Sequence, residues 1–225
     1  MQDCSLPPST ADVNEMYNGK RLPKGIHVFG SDDNSAPKVE IVPNGNETDA
    51  SWSFFFVQHF VVEEFANKIE KVKRNGIHAP KWFAYREVKH PQNSKSAVKE
   101  DGQSLGAIVF MQGDAAELKT FLMMVFPQHQ FVKDSISGEI ATISDGVMKP
   151  FMQIADGEPE RVTFLRDPFV KFANDHVKLR LLTGVLAGQE GYVVRILRDR
   201  HFVMNFGGYA VAISRVHNED FQIAE

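Results

Sequence analysis

The sequence predicts an α+β domain followed by a small all-β barrel, and three observations carry that prediction. Between Ser51 and Ala155, short apolar runs alternate with segments of three-and-four helical spacing. Beyond residue 170 the apolar period becomes two. The stretch before Ser51 is too polar to build a core of its own. The 225-residue chain therefore divides into an N-terminal extension (1–50), an α+β domain (51–155), a linker (156–170) and the barrel (171–225).

Residues 1–50 are rich in Pro, Gly, Asn, Asp and Ser, interrupted by two β-like runs, Ile26-His27-Val28-Phe29 and Val39-Glu40-Ile41-Val42. They read as a tail in the first instance, or as strands added to a neighbouring sheet. At Trp52 the pattern changes. Phe54-Phe55-Phe56-Val57-Gln58-His59-Phe60 suits a strand covered on both faces. Val61, Phe65, Ile69 and Val72 then form a helical stripe that Asn75-Gly76 ends. Trp82–Tyr85 reads as a second strand, residues 89–103 as an exposed loop, and Leu105–Met111 as a third strand.

Asp114 caps a helix with Leu118, Leu122 and Val125 on one face, and Glu117 completes a capping box. Pro127 ends that helix. Phe131-Val132 and Ile140–Ile143 flank a Ser137-Gly138 turn, and Ser144 opens a last helix with Val147, Phe151 and Ile154 inward. Pro159 and Pro168 give the following stretch the composition of a linker. Val177–Leu181, Tyr192–Ile196, Phe202–Phe206 and Ala210–Ile213 are short strands that must curl on themselves to make a core.

Composition narrows the function. A net charge of −4 argues against a general nucleic-acid binder, so any such contact needs a local basic patch. Arg195, Arg198, Arg200 and Arg215 make the barrel locally basic, which reads first as a solvated face and second as a phosphate contact. Cys4, the single cysteine, cannot form an internal disulfide, as expected of a reducing compartment. The chain has neither a membrane-length apolar run nor a secretory leader pattern, so the expectation is a cytoplasmic protein without membrane contact. Its histidines show no metal-ligand spacing, and no nucleophile motif or phosphate-cradling loop is present. The expectation is a protein that is not an enzyme and needs no metal or cofactor.

The barrel residues Val177-Lys178-Leu179-Arg180, followed by Gly184-Val185-Leu186-Ala187-Gly188-Gln189-Glu190-Gly191-Tyr192-Val193, resemble a KOW motif, which implies an SH3-like barrel. Gly184 and Gly188 suit a tight loop at positive φ, and Gly191 suits a strand bending at a barrel corner. The preceding domain is similar over its length to the NGN domain of NusG-like proteins, an antiparallel sheet with helices. The resemblance rests on Phe54–Phe60 with Glu64, on Leu105–Met111, on Pro127 with Phe131-Val132, and on Ile143-Ser144-Asp145 with Met148 and Phe151. This last variant resembles the UpxY-type specialised paralogues of Bacteroides-like bacteria.

Gly106 and Ile108 replace the family's usual Pro and Tyr, and Phe54-Phe55 replace its opening Trp-Tyr. The resemblance implies a monomeric transcription elongation or antitermination factor. RNA polymerase would dock on the NGN-like domain, with Phe55, Ile108 and Phe110 as the candidate residues. Phe206 precedes Gly207-Gly208 and reads either as an exposed turn residue or as a core-facing strand residue; the resemblance implies that Phe206-Gly207 would bind termination factor Rho or a small-subunit ribosomal protein. A weak contact with DNA or RNA is left open. The alternative is a ribosome- or RNA-binding protein that uses the barrel as its main surface.

Overall fold

In the computed structural model the described residues are 16–17, 19–39, 51–86, 106–134, 137–196 and 198–224. The expected loop at 89–103, most of the run at 39–42 and Cys4 lie outside them. The chain is mixed α+β. Among the described residues, no helix is long and apolar enough to cross a membrane.

A hairpin of β1 (Met16–Tyr17) and β2 (Lys20–Arg21) comes first, then β3 (His27–Phe29). The central domain runs β4 (Ser51–Gln58), α1 (Val61–Arg74), β5 (Lys81–Arg86), β6 (Gly106–Gln112), α2 (Ala115–Val125), β7 (Ile143–Ser144) and α3 (Asp145–Gly157). Its antiparallel sheet has the order β5-β6-β4-β7. Strand alternation then assigns the apolar residues to two faces. Phe55, Val57, Val109 and Met111 lie under α1 and α2 with Phe65, Ile69 and Leu122. Trp52, Phe54, Ile108 and Phe110 point the other way, toward α3.

The helix ends follow the local chemistry. Asp114 Oδ1 accepts from the amides of Ala116 and Glu117, at 2.9 and 3.2 Å, which satisfies donors that α2 itself leaves free. Gly76, at φ +75°, takes the left-handed conformation after α1. At α3 the Ser144 side chain makes no cap bond. The neighbouring Asp145 instead accepts from Trp52 Nε1 at 2.8 Å, Gln112 Nε2 at 3.1 Å and Lys149 Nζ at 2.6 Å. Burial opposes ionisation of Asp145, but the bonds from Lys149 and Trp52 outweigh it and hold the carboxyl below the usual carboxylate range.

The remaining strands are β8 (Val162–Pro168), β9 (Lys178–Leu181), β10 (Glu190–Ile196), β11 (Asp199–Phe206), β12 (Tyr209–Ile213) and β13 (Asp220–Ile223). They form a seven-stranded sheet of order β3-β13-β9-β10-β11-β12-β8. Two expectations need correction here. Residues 156–170 are not a linker: α3 ends among them, a 3-10 turn follows at Pro159–Arg161, and β8 pairs with β12. The proline composition misled because Pro168 ends an edge strand, a position that loses no ladder bond. Nor is the extension simply a tail, since β3 adds to the edge of the sheet, parallel to β13.

Alternation also gives the C-terminal sheet two faces. Val193, Phe202, Met204, Val211 and Ile213 face the same core as Phe110. Tyr192, Val194, Val203 and Ala212 face outward and are covered by a 3-10 segment, Phe169–Ala173.

Two measurable consequences follow from the polar groups of the two sheets. Among the described residues, the fully buried Ser53 hydroxyl has no hydrogen-bond partner, so Ser53→Ala removes a desolvated donor at little packing cost. Thermal unfolding of this variant is expected to show a gain of about 1 kcal/mol, roughly 2–4 °C in Tm. Glu190 bonds Lys178 Nζ at 2.5 Å and Arg180 at 2.6 Å, and these two bonds, in that order, hold its carboxyl below the usual value of 4.5 against burial. A depressed folded-state value gives stability that is present above 4.5 and lost as pH falls through the folded value. Tm measured against pH is therefore expected to decline below about 4.5, and Glu190→Gln is expected to flatten that decline.

Candidate partner-binding surface

The resemblance nominates Phe55, Ile108 and Phe110 on the central sheet. Antiparallel register places Phe55 opposite Val109, Phe54 opposite Phe110 and Phe56 opposite Ile108. Phe55 therefore points to the α1/α2 side and packs on Phe65 and Phe131, away from the other two. The three cannot form one patch. On β4 the residues that share a face with Ile108 and Phe110 are Trp52, Phe54 and Phe56.

That face is covered. Ile108 is 5% exposed and Phe110 is 0% exposed. Phe110 lies 5.6 Å from Phe54 and 5.6 Å from Phe151 of α3, centroid to centroid. The turn between β11 and β12 sits over the same spot. Phe206, open in sequence between an exposed turn and a core-facing strand position, takes the second: it is 0% exposed, and its ring lies 4.7 Å from Phe151 and 6.3 Å from both Phe110 and Phe164. Alternation explains this, because Phe206 continues the inward series of Phe202 and Met204.

Gly207 completes the junction. Its φ is +57°, and a Cβ there would meet the Ala141 Cβ at 2.9 Å and the Phe54 ring at 3.4 Å. Tyr209 then closes on Phe54 and Phe56, at 5.7 and 6.0 Å. At the far side, Tyr85 Oη donates to the Val162 carbonyl at 3.1 Å, where the chain enters the C-terminal sheet. The two groups of nominated residues thus meet each other in one aromatic junction.

The three loop glycines have separate roles. Gly184 and Gly188 take φ of +77° and +88°, as a tight loop requires, and the Gly188 amide donates to the Leu181 carbonyl at 2.7 Å. Gly191 has no positive φ. A Cβ there would strike the Val203 carbonyl, so it serves close approach between β10 and β11.

The sequence reading passed over Phe56, 49% exposed at the rim of the junction, and Phe60, 70% exposed before α1. Period-two alternation was the available signal for Phe56, hidden inside an unbroken apolar run. Among the described residues, no group of three or more His, Cys, Asp or Glu side chains is placed to hold a metal ion. No family model, no curated protein and no solved structure matches the chain.

Truncating Phe206 tests the junction. Phe206→Ala is expected to lose about 3–5 kcal/mol, as large aromatic truncations in cores do. Because the ring joins both sheets, urea unfolding followed by tryptophan fluorescence (Trp52 and Trp82) and by far-ultraviolet dichroism is expected to shift together.

Proposed function

We propose that the chain is a NusG-like transcription elongation or antitermination factor without enzymatic activity. Its NGN-like domain binds RNA polymerase, and its KOW-type, SH3-like barrel recruits a second partner. One observation carries the reading: a helix-flanked antiparallel sheet with Ile108 and Phe110 on one face precedes a second sheet whose β9–β10 loop uses Gly184 and Gly188 and whose strand β10 uses Gly191. That order supports the resemblance stated for the sequence.

In this reading the polymerase-facing residues are Ile108 and Phe110, joined by Phe56 instead of Phe55. All but Phe56 are buried beneath α3 and the β11–β12 turn. Docking through them therefore requires both the turn that carries Phe206 and α3 to move off the sheet. Binding energy applied to one conformation is the mechanism, with polymerase favouring the separated form. Phe206 and Gly207 become available to Rho or a small-subunit ribosomal protein by the same separation.

A reversible lock tests this. Ala141 and Gly207 are close enough for a cystine after slight backbone adjustment, judged against the usual Cβ separation of about 3.5–4.5 Å. Ala141→Cys/Gly207→Cys, made in a Cys4→Ser background, is expected to bind purified RNA polymerase only when reduced. Equal binding by the oxidised and reduced forms would remove Ile108 and Phe110 from the docking surface. Failure of the unmodified chain to bind would remove the polymerase reading itself.

A further inference from the structure

The hairpin that joins β10 and β11 concentrates cations at one corner of the molecule. Arg195 and Arg200 are direct cross-strand partners. Their Cβ atoms stand about 4.5–5.5 Å apart on one face, where like charges oppose pairing. Arg198, at the tip, is exposed and holds φ at +73°, a conformation that hairpin turns ordinarily assign to Gly, Asn or Asp.

Several other cations among the described residues are matched by acids. Lys178 and Arg180 share Glu190, Lys149 pairs with Asp145, and Lys171 pairs with Asp167. Arg215 also has a positive φ, of 60°, but its guanidinium reaches Glu158 and Glu160 at 3.3 and 3.2 Å. Among the described residues, Arg195 and Arg198 have no carboxylate partner. The nearby acid, Asp199, turns its Oδ1 to the Arg200 amide at 2.8 Å. Arg200 Nε bonds the Lys24 carbonyl at 2.5 Å, which fixes one guanidinium and brings the exposed Lys24 to the same corner.

We propose that this hairpin is a contact site for the phosphodiester backbone of a single nucleic-acid strand. All three hairpin cations are arginines, whose planar forks grip phosphate oxygens bidentately and stack on bases. An anion between Arg195 and Arg200 converts their mutual repulsion into a shared attraction. A strand continuing past it meets Arg198 at the tip. The inference rests on the hairpin alone and is independent of polymerase docking, which uses the opposite end of β11.

The test titrates the full chain into fluorescein-labelled oligouridylate or oligothymidylate about a dozen nucleotides long, read by anisotropy at several salt concentrations. Salt-sensitive binding is expected. Arg195→Gln/Arg198→Gly is expected to weaken it at least tenfold and to lower the salt slope by about 0.7 per lost phosphate contact. The same variant is expected to keep or raise Tm, since it relieves both the charge opposition and the left-handed strain. Arg198→Glu, at the exposed tip, tests the charge without touching strand pairing and is expected to weaken binding further.

Arg215→Gln removes one positive charge elsewhere and is expected to leave binding within twofold. Preference for oligouridylate assigns part of the contact to the 2′-hydroxyl, whereas equal affinity assigns it to the shared backbone. The proposal is overturned if neither oligonucleotide binds, if the hairpin variants bind like the parent, or if Arg215→Gln weakens binding equally. Competition by polyglutamate as effective as that by oligonucleotide would overturn it in favour of an acidic protein surface.

Discussion

The Phe206 ring fills the space between Phe110, Phe151 and Phe164, and the junction of the two sheets depends on that contact. Burying a phenylalanine contributes about 1.5–3 kcal/mol, and each well-placed aromatic pair adds about 0.5–1.5 kcal/mol. The turn on which the ring rides holds Gly207 against Ala141 and brings Tyr209 to Phe54. The chain has no slack between α3 and β8, so the two sheets are joined by packing and by a short covalent path. They share one apolar core, while each keeps a separate cluster on its other face.

That sharing constrains how the proposed activity can work. A partner that needs Ile108 and Phe110 must bind the separated form better than the closed one, because a ligand with equal affinity for both shifts nothing. The junction sets the size of that difference at several kcal/mol, or a few powers of ten in population, since about 1.4 kcal/mol is one power of ten. Phe56 is the part of this face already half in water, so it can be touched before separation. A first contact at Phe56 and Tyr209 would sit where the turn meets the sheet, the place from which the junction can be pried apart.

Periodicity made most of the elements legible. The stripe of Phe65 and Ile69, the Asp114 cap, the stop at Gly76 and the strands around Val193 and Val211 all follow from local rules, and the structure has them. What local rules could not reach is which apolar face meets which. Phe54-Phe55-Phe56 reads as one unbroken run, and only the register with β6 sends Phe55 to the helices and its neighbours to the junction. Phe206 beside two glycines has the local signature of an exposed turn, yet the turn docks on another part of the chain. The stretch containing Pro159 and Pro168 shows the same limit, because a strand at a sheet edge tolerates the residues that mark a linker.

Three positions depart from local preference, and their exposure separates them. Ser53 is sealed in the core, so its unpaired hydroxyl is accessible to no partner and can only lower stability. Arg215 takes a left-handed backbone but gains two carboxylates that tie the 3-10 turn after α3 to the end of β12, so its strain has a structural return. Arg198 has neither burial nor, among the described residues, an acid to explain it. An exposed cation in a strained conformation, beside an opposed arginine pair, costs stability without any return inside the molecule. In the proposed contact the compensation lies outside it, since a bound anion adds attractions that offset the mutual repulsion of the three charges at once.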